Sequence, residues 1–149
     1  MTITISALPP ATPRTAVRSW VDPQGGAPLR CCLRDSFAGE ELLLASVVPP
    51  GPQGAYAEAG PVFVHAGPCA GPVSPGYPED FRARVQVFRA YDADGCIVGG
   101  ELVAAGHGQE AVAQRLLAEP GVAFLHSRNV IHGCYMFAMA IDVAPPPRL

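Results

Sequence analysis

A chain of 149 residues fits one domain and can bury roughly 70% of its extended surface without disulfide or metal support. The net charge is −3, and the only basic concentration is Arg82, Arg84 and Arg89, so the chain lacks the positive face that nucleic-acid binding needs. The apolar share is 49%, yet no run reaches the ~20 apolar residues of a membrane span.

Charged residues make up 15% of the chain, below the ~25% usual in soluble domains. An apolar surface is cheaper covered than exposed, which points to a homodimer as one way to cover it. The N-terminus lacks the basic start and apolar core of a signal peptide, so the cytoplasm is the expected location. Five cysteines, an odd number, suit reduced thiols in that compartment better than a disulfide framework.

In chain order, Ile3 and Ile5 alternate with Thr2, Thr4 and Ser6, which predicts a short strand closed by Pro9, Pro10 and Pro13. Residues 1–28 read as an N-terminal arm, with Trp20 packing it on the body. Residues 29–34 place Leu29, Cys31 and Leu33 on one parity and Arg30, Cys32 and Arg34 on the other. Read as a strand, this segment points Cys31 and Cys32 to opposite faces, so they would not share a metal. Residues 41–48 predict a central strand, and Val62 to His65 a short one. A long Gly- and Pro-rich loop follows through Pro78; loops of that length are commonly functional or disordered. Pro78 to Phe81 has the signature of a helix start, with proline first and acids in the first turn.

Residues 85–91 and 96–103 predict a hairpin, closed by Asp92-Ala93-Asp94-Gly95 as a type I turn with a glycine bulge. Gly99 and Gly100 then lie opposite Arg89, where bare backbone allows close approach. Residues 109–119 are the best helix, with Val112, Ala113, Leu116 and Leu117 in one stripe and Pro120-Gly121 as the stop. Residues 122–130 and 134–143 predict two further strands, and 145–149 a flexible tail. The fold class expected is α+β: one domain over 29–144, a mostly antiparallel or mixed sheet backed by one or two helices.

The stretches Cys32-Leu33-Arg34, Gly39-Glu40, Tyr56-Ala57-Glu58, Gly60 to His65, Arg89 to Asp92 with Gly95, and His126 to Asn129 before Gly133-Cys134-Tyr135 go together. In that combination, spanning about residues 29–141, the chain resembles the domain-of-unknown-function family numbered 1203. The resemblance implies a single-domain bacterial protein without assigned activity, and it supplies no catalytic roles.

The chemistry-bearing residues fall in two clusters. His126 and Arg128 share a strand face, joining a group that titrates near neutral pH to one that grips carboxylate or phosphate. With Arg89 as a second anion holder and Asn129 to orient, they suit a small anionic molecule, with His126 as acid–base candidate. His65 and Cys69 flank a Gly-Pro turn that can fold one toward the other, as for a cysteine nucleophile. No Cys-x-x-Cys, His-Glu-x-x-His, phosphate-binding loop or Gly-x-Ser-x-Gly elbow is present. Three readings follow: a binding protein or enzyme for an anionic ligand, with all six residues in one pocket; a structural or interaction module with Arg89 and Arg128 spent on ion pairs, Glu58 among the acids; and a zinc site from His65 and Cys69 with His132 or Cys134. Beyond that zinc, the sequence leaves the cofactor unknown.

Overall fold

The computed structural model describes residues 2–52 and 54–142; the tail expected at 145–149 lies outside them. Among the described residues the strands are β1 (Ile3–Ser6), β2 (Arg14–Asp22), β3 (Pro28–Leu29), β4 (Arg34–Asp35), β5 (Glu40–Val47), β6 (Gly60–His65), β7 (Gln86–Tyr91), β8 (Ile97–Val103), β9 (Phe124–Asn129) and β10 (Tyr135–Ile141), with one α-helix, α1 (Gln109–Leu117). They form two five-stranded sheets rather than one. The first runs β1-β10-β9-β7-β8 and is antiparallel throughout; the second runs β2-β5-β6-β3-β4, with β3 and β6 parallel. The result is a mostly-sheet fold with little helix. The residues read as an arm supply a strand to each sheet: β1 pairs with β10, and β2 with β5.

Three apolar clusters account for the arrangement. On one face of the first sheet, Phe88, Leu125, Phe137 and Met139 pack under Ala113, Leu116 and Leu117 of α1, with Tyr77 and Phe81 completing the layer. Burying side chains of this size is worth roughly 1.5–3 kcal/mol each. Between the sheets, Ala45, Val47, Val62 and Val64 meet Tyr135 and Ala138. On the outer face of the second sheet lie Leu29, Cys32 and Leu42, with Trp20 edge-on to Phe63 at 5.1 Å.

The hairpin forms as its turn chemistry requires. Gly95 donates to the Asp92 carbonyl at φ +83°, and Arg89 pairs with Gly100. A Cβ on Gly100 would come within 3.1 Å of the Phe88 carbonyl oxygen, so the close approach is real. The helix start expected at Pro78 is a single 3-10 turn, Glu79–Phe81.

One local expectation is corrected, and one strand is irregular. Residues 29–34 are not one strand. Leu33 sits at φ +56° and its N–H bonds the Leu29 carbonyl, so residues 30–33 make a tight turn between β3 and β4. In β10 a register shift between Tyr135 and Phe137 breaks strict alternation. Tyr135 consequently joins the inter-sheet layer, while Phe137 and Met139 stay under the helix.

Candidate functional site, a thiolate and imidazole centre

The tight turn after β3 changes what adjacent cysteines can do. On a strand they diverge; in a turn both sulfurs reach one place. Cys31 Sγ lies 3.4 Å from His65 Nδ1, and Cys32 Sγ lies 3.9 Å from the same atom. His65 is the last residue of β6, which β3 meets in parallel, so the sheet brings it beside the turn. Its backbone N–H also points at Cys31 Sγ, at 3.4 Å. Cys69 returns across Gly67-Pro68 and is held by a 3.5 Å contact from the Gly71 N–H. The ligand atoms of Cys31, Cys32, His65 and Cys69 all lie within 4.8 Å of one another.

The turn is anchored from below by Arg30, which is buried. Its Nε donates to the Tyr135 carbonyl at 2.7 Å, at the β10 bulge, and its N–H bonds the Phe63 carbonyl. Burial pulls this guanidinium down to about 10. The cysteine turn is thereby tied to both sheets.

A second layer of groups orients the imidazole. Glu40 Oε2 accepts from His65 Nε2 at 2.8 Å, which places the ring proton on Nε2 and leaves the Nδ1 lone pair facing the sulfurs. Arg34 grips the same carboxylate with both terminal nitrogens, at 2.7 and 2.9 Å, and the Phe37 N–H adds a fourth donor. Arg34 Nη2 also lies 3.1 Å from His65 Nε2; both are donors that converge on Oε2. The Arg34 guanidinium, helped by the Phe37 N–H and His65, holds the Glu40 carboxyl down at about 2.

Among the thiols, the hydrogen bond from Cys32 is the main cause that lowers Cys31 to about 5. The same bond, with burial, pushes Cys32 far above its ordinary range, and burial raises Cys69. Cys31 is thus the sulfur favoured to ionise, with the Cys32 S–H and the backbone N–H of His65 directed at it. All five cysteines of the chain are free thiols. On one side the group borders a cavity of about 500 Å³ lined by Arg14, Cys31, His65 and Cys69. On the other side Cys32 and Arg34 line a second, of about 410 Å³. The long loop after β6 forms walls of both.

The six residues expected in one pocket occupy three places. His65 and Cys69 join the thiol group just described. Arg89, His126 and Arg128 lie on the inter-sheet side of the first sheet, where Arg89 pairs with His126 across β7 and β9. Both arginines meet Glu58, at 3.6 Å from Arg89 and 3.1 Å from Arg128, the ion pair anticipated for a structural role. Asn129 turns instead to Gln86, in a chain running Ser127–Gln86–Asn129. His132 and Cys134, offered as zinc ligands, line a separate cavity with Arg128 and are not in the thiol group. Cys31, Cys32, Glu40 and Arg34 were missed. The one available signal was the unusual Cys-Cys pair, which begins three residues after Pro28, and its alternation with Leu29 and Leu33 masked it.

Comparison with known proteins places the chain in a family without giving it an activity. The chain belongs to DUF1203, a family described as proteins of unknown function, whose model matches residues 26–140. That span includes every residue of the thiol group and its second layer. No curated protein and no solved structure matches the chain.

Proposed function

We propose that this chain binds a soft divalent transition metal, zinc foremost, through Cys31, Cys32, His65 and Cys69. The observation that carries the reading is the convergence of three sulfurs and one imidazole nitrogen within 4.8 Å. Tetrahedral zinc, with bonds of about 2.3 Å to sulfur and 2.0–2.1 Å to nitrogen, sets its ligand atoms roughly 3.3–3.8 Å apart. The 3.4 and 3.9 Å spacings from the sulfurs to His65 Nδ1 need little adjustment. Three thiolates select zinc over calcium or magnesium, which prefer oxygen. The Glu40 contact to His65 Nε2 is the second-layer carboxylate that metal-bound histidines commonly have. Such a metal would pin the loop after β6 to the turn after β3. Elemental analysis of protein purified without chelators should give about one zinc per chain, and Cys31→Ser should lose it. Metal-free protein that also shows no sulfur-to-cobalt absorption on cobalt(II) addition would end the reading.

A second reading rests on the same atoms. The order Cys31 Sγ, His65 Nδ1, His65 Nε2, Glu40 Oε2 is that of a nucleophile, its base and the group orienting the base, beside a 500 Å³ cavity. A bound metal would occupy that sulfur, so the two readings separate by experiment. Rapid alkylation of Cys31 near pH 6 in protein as purified, with no metal present, favours the nucleophile. Protection of Cys31 that is lifted by chelator favours the metal.

A further inference from the structure

Away from the thiol group, a second set of groups is arranged around a charge it only half uses. Arg89 and Arg128 come from adjacent strands on one sheet face, with His126 between them. The His126 side chain is buried, at 6% exposure, and neither ring nitrogen has a hydrogen-bond partner among the described residues. Arg128 Nε is likewise buried without one. Around the imidazole stand Tyr91, Phe124 and Tyr135, with ring centroids 4.7, 5.3 and 4.9 Å away. Burying such groups unpaired is costly, and an unpaired group kept in a native fold calls for an explanation.

Among the described residues, the one carboxylate paired with this set is Glu58. A single oxygen, Oε1, serves both Arg89 and Arg128, so neither guanidinium receives the two-oxygen fork it forms at full strength. The Glu58 side chain is 57% exposed and lies in the irregular segment before β6. It stands between two openings. One is a cavity of about 200 Å³ lined by Arg128, His132 and Tyr135, and the other a narrow cleft lined by Tyr91, Phe124 and His126. Two guanidiniums, one carboxylate and an imidazole kept neutral between them leave the set one positive charge in excess.

We propose that Arg89, Arg128 and His126 form a binding site for a small-molecule carboxylate, and that Glu58 is a resident carboxylate which the ligand displaces. The site accepts a carboxylate because it already holds one. Once Glu58 swings into solvent, the cavity and the cleft, both lined by Arg128, become one space, with Arg89 in reach of the place Glu58 leaves. The ligand takes two-oxygen bonds from Arg128 and Arg89, and a hydrogen bond from the N–H of His126. Glu58 sets the affinity through competition, because the apparent affinity falls with the fraction of molecules in which the site is open. This site is independent of the metal reading and needs none of its residues.

The test titrates the whole chain, as purified, with acetate, succinate and inorganic phosphate by calorimetry. It uses the wild type, Glu58→Gln and the double variant Glu58→Gln with Arg89→Gln. Glu58 and Arg89 are both partly exposed, so these variants should keep the fold, which thermal melting checks. Glu58→Gln should bind succinate at least tenfold more tightly than the wild type, and the double variant should lose that gain. Equal affinity in wild type and Glu58→Gln, undiminished binding in the double variant, or no carboxylate binding by any form overturns the proposal. Tighter binding of phosphate than of either carboxylate overturns the ligand class.

Discussion

Glu40 and His65 are joined by a 2.8 Å hydrogen bond that fixes which face of the imidazole looks at the sulfurs. Without the carboxylate the ring is free to turn, and its lone pair no longer points at Cys31 and Cys32. Glu40→Gln keeps every proposed metal ligand and removes the charge. Losses of about 10–100-fold in metal affinity are typical when such a group is removed. Competition with a chromophoric chelator should show a loss in that range; unchanged affinity would remove Glu40 from the centre.

Thiol labelling should sort the cysteines by place. Cys96 is exposed, and Cys134 lies away from the group. With metal bound, maleimide should label these two and spare Cys31, Cys32 and Cys69, as read by peptide mass spectrometry. Chelator should open the last three, Cys31 first, because its thiol is lowered to about 5.

His126 should stay neutral well into acid. Burial, then the Arg128 and Arg89 guanidiniums, pull it from 6.5 to about 3. Between those values the unfolded chain binds a proton that the folded chain refuses. Its contribution to stability is thus complete above pH 6.5 and is lost as pH falls toward 3. Arg89, Arg128 and Glu58 are the charged groups around it, and Tyr91 and Tyr135 the titratable rings. Denaturation of the wild type and His126→Phe across pH 7 to 4 should show the wild type losing its advantage on acidification. A difference independent of pH would contradict the assignment, as would a ring resonance titrating near pH 6.5.

Phe137 is fully buried, stacked 6.3 Å from Phe81 and edge-on to Tyr77 at 5.4 Å. Phe137→Ala should cost about 3–5 kcal/mol in chemical denaturation. Val73 is 95% exposed on the long loop, so Val73→Ser should stay within ~0.5 kcal/mol. Similar costs at both positions would mean the layer under α1 is not the main core.

What was legible in the sequence was local. The hairpin over 85–103 was written in Asp92 and Gly95, and α1 in its four-residue apolar stripe. The strand 134–143 was also legible, but its faces were not, because nothing in Tyr135-Met136-Phe137 marks a bulge. Alternation tells which residues share a face and is silent on which sheet a strand joins, so two sheets read as one. The thiol group was hidden for two reasons. Leu33 adopts a left-handed backbone without the glycine that usually signals it. And Cys31 meets His65 across 34 residues of chain, a pairing set by the β3–β6 contact and not by spacing.

The pairing of β1 with β10 joins Ile3 to Ile141. During synthesis, residues 3–6 therefore leave the ribosome more than a hundred residues before their neighbour exists. Closure of the first sheet is the most non-local step of the fold, and long-range pairing of this kind slows folding. Until it happens, β10 is an edge strand, with open backbone along Tyr135–Ile141 that another chain can pair with. Deleting residues 2–6 should thus raise aggregation of newly made protein more than it lowers the stability of the part already folded.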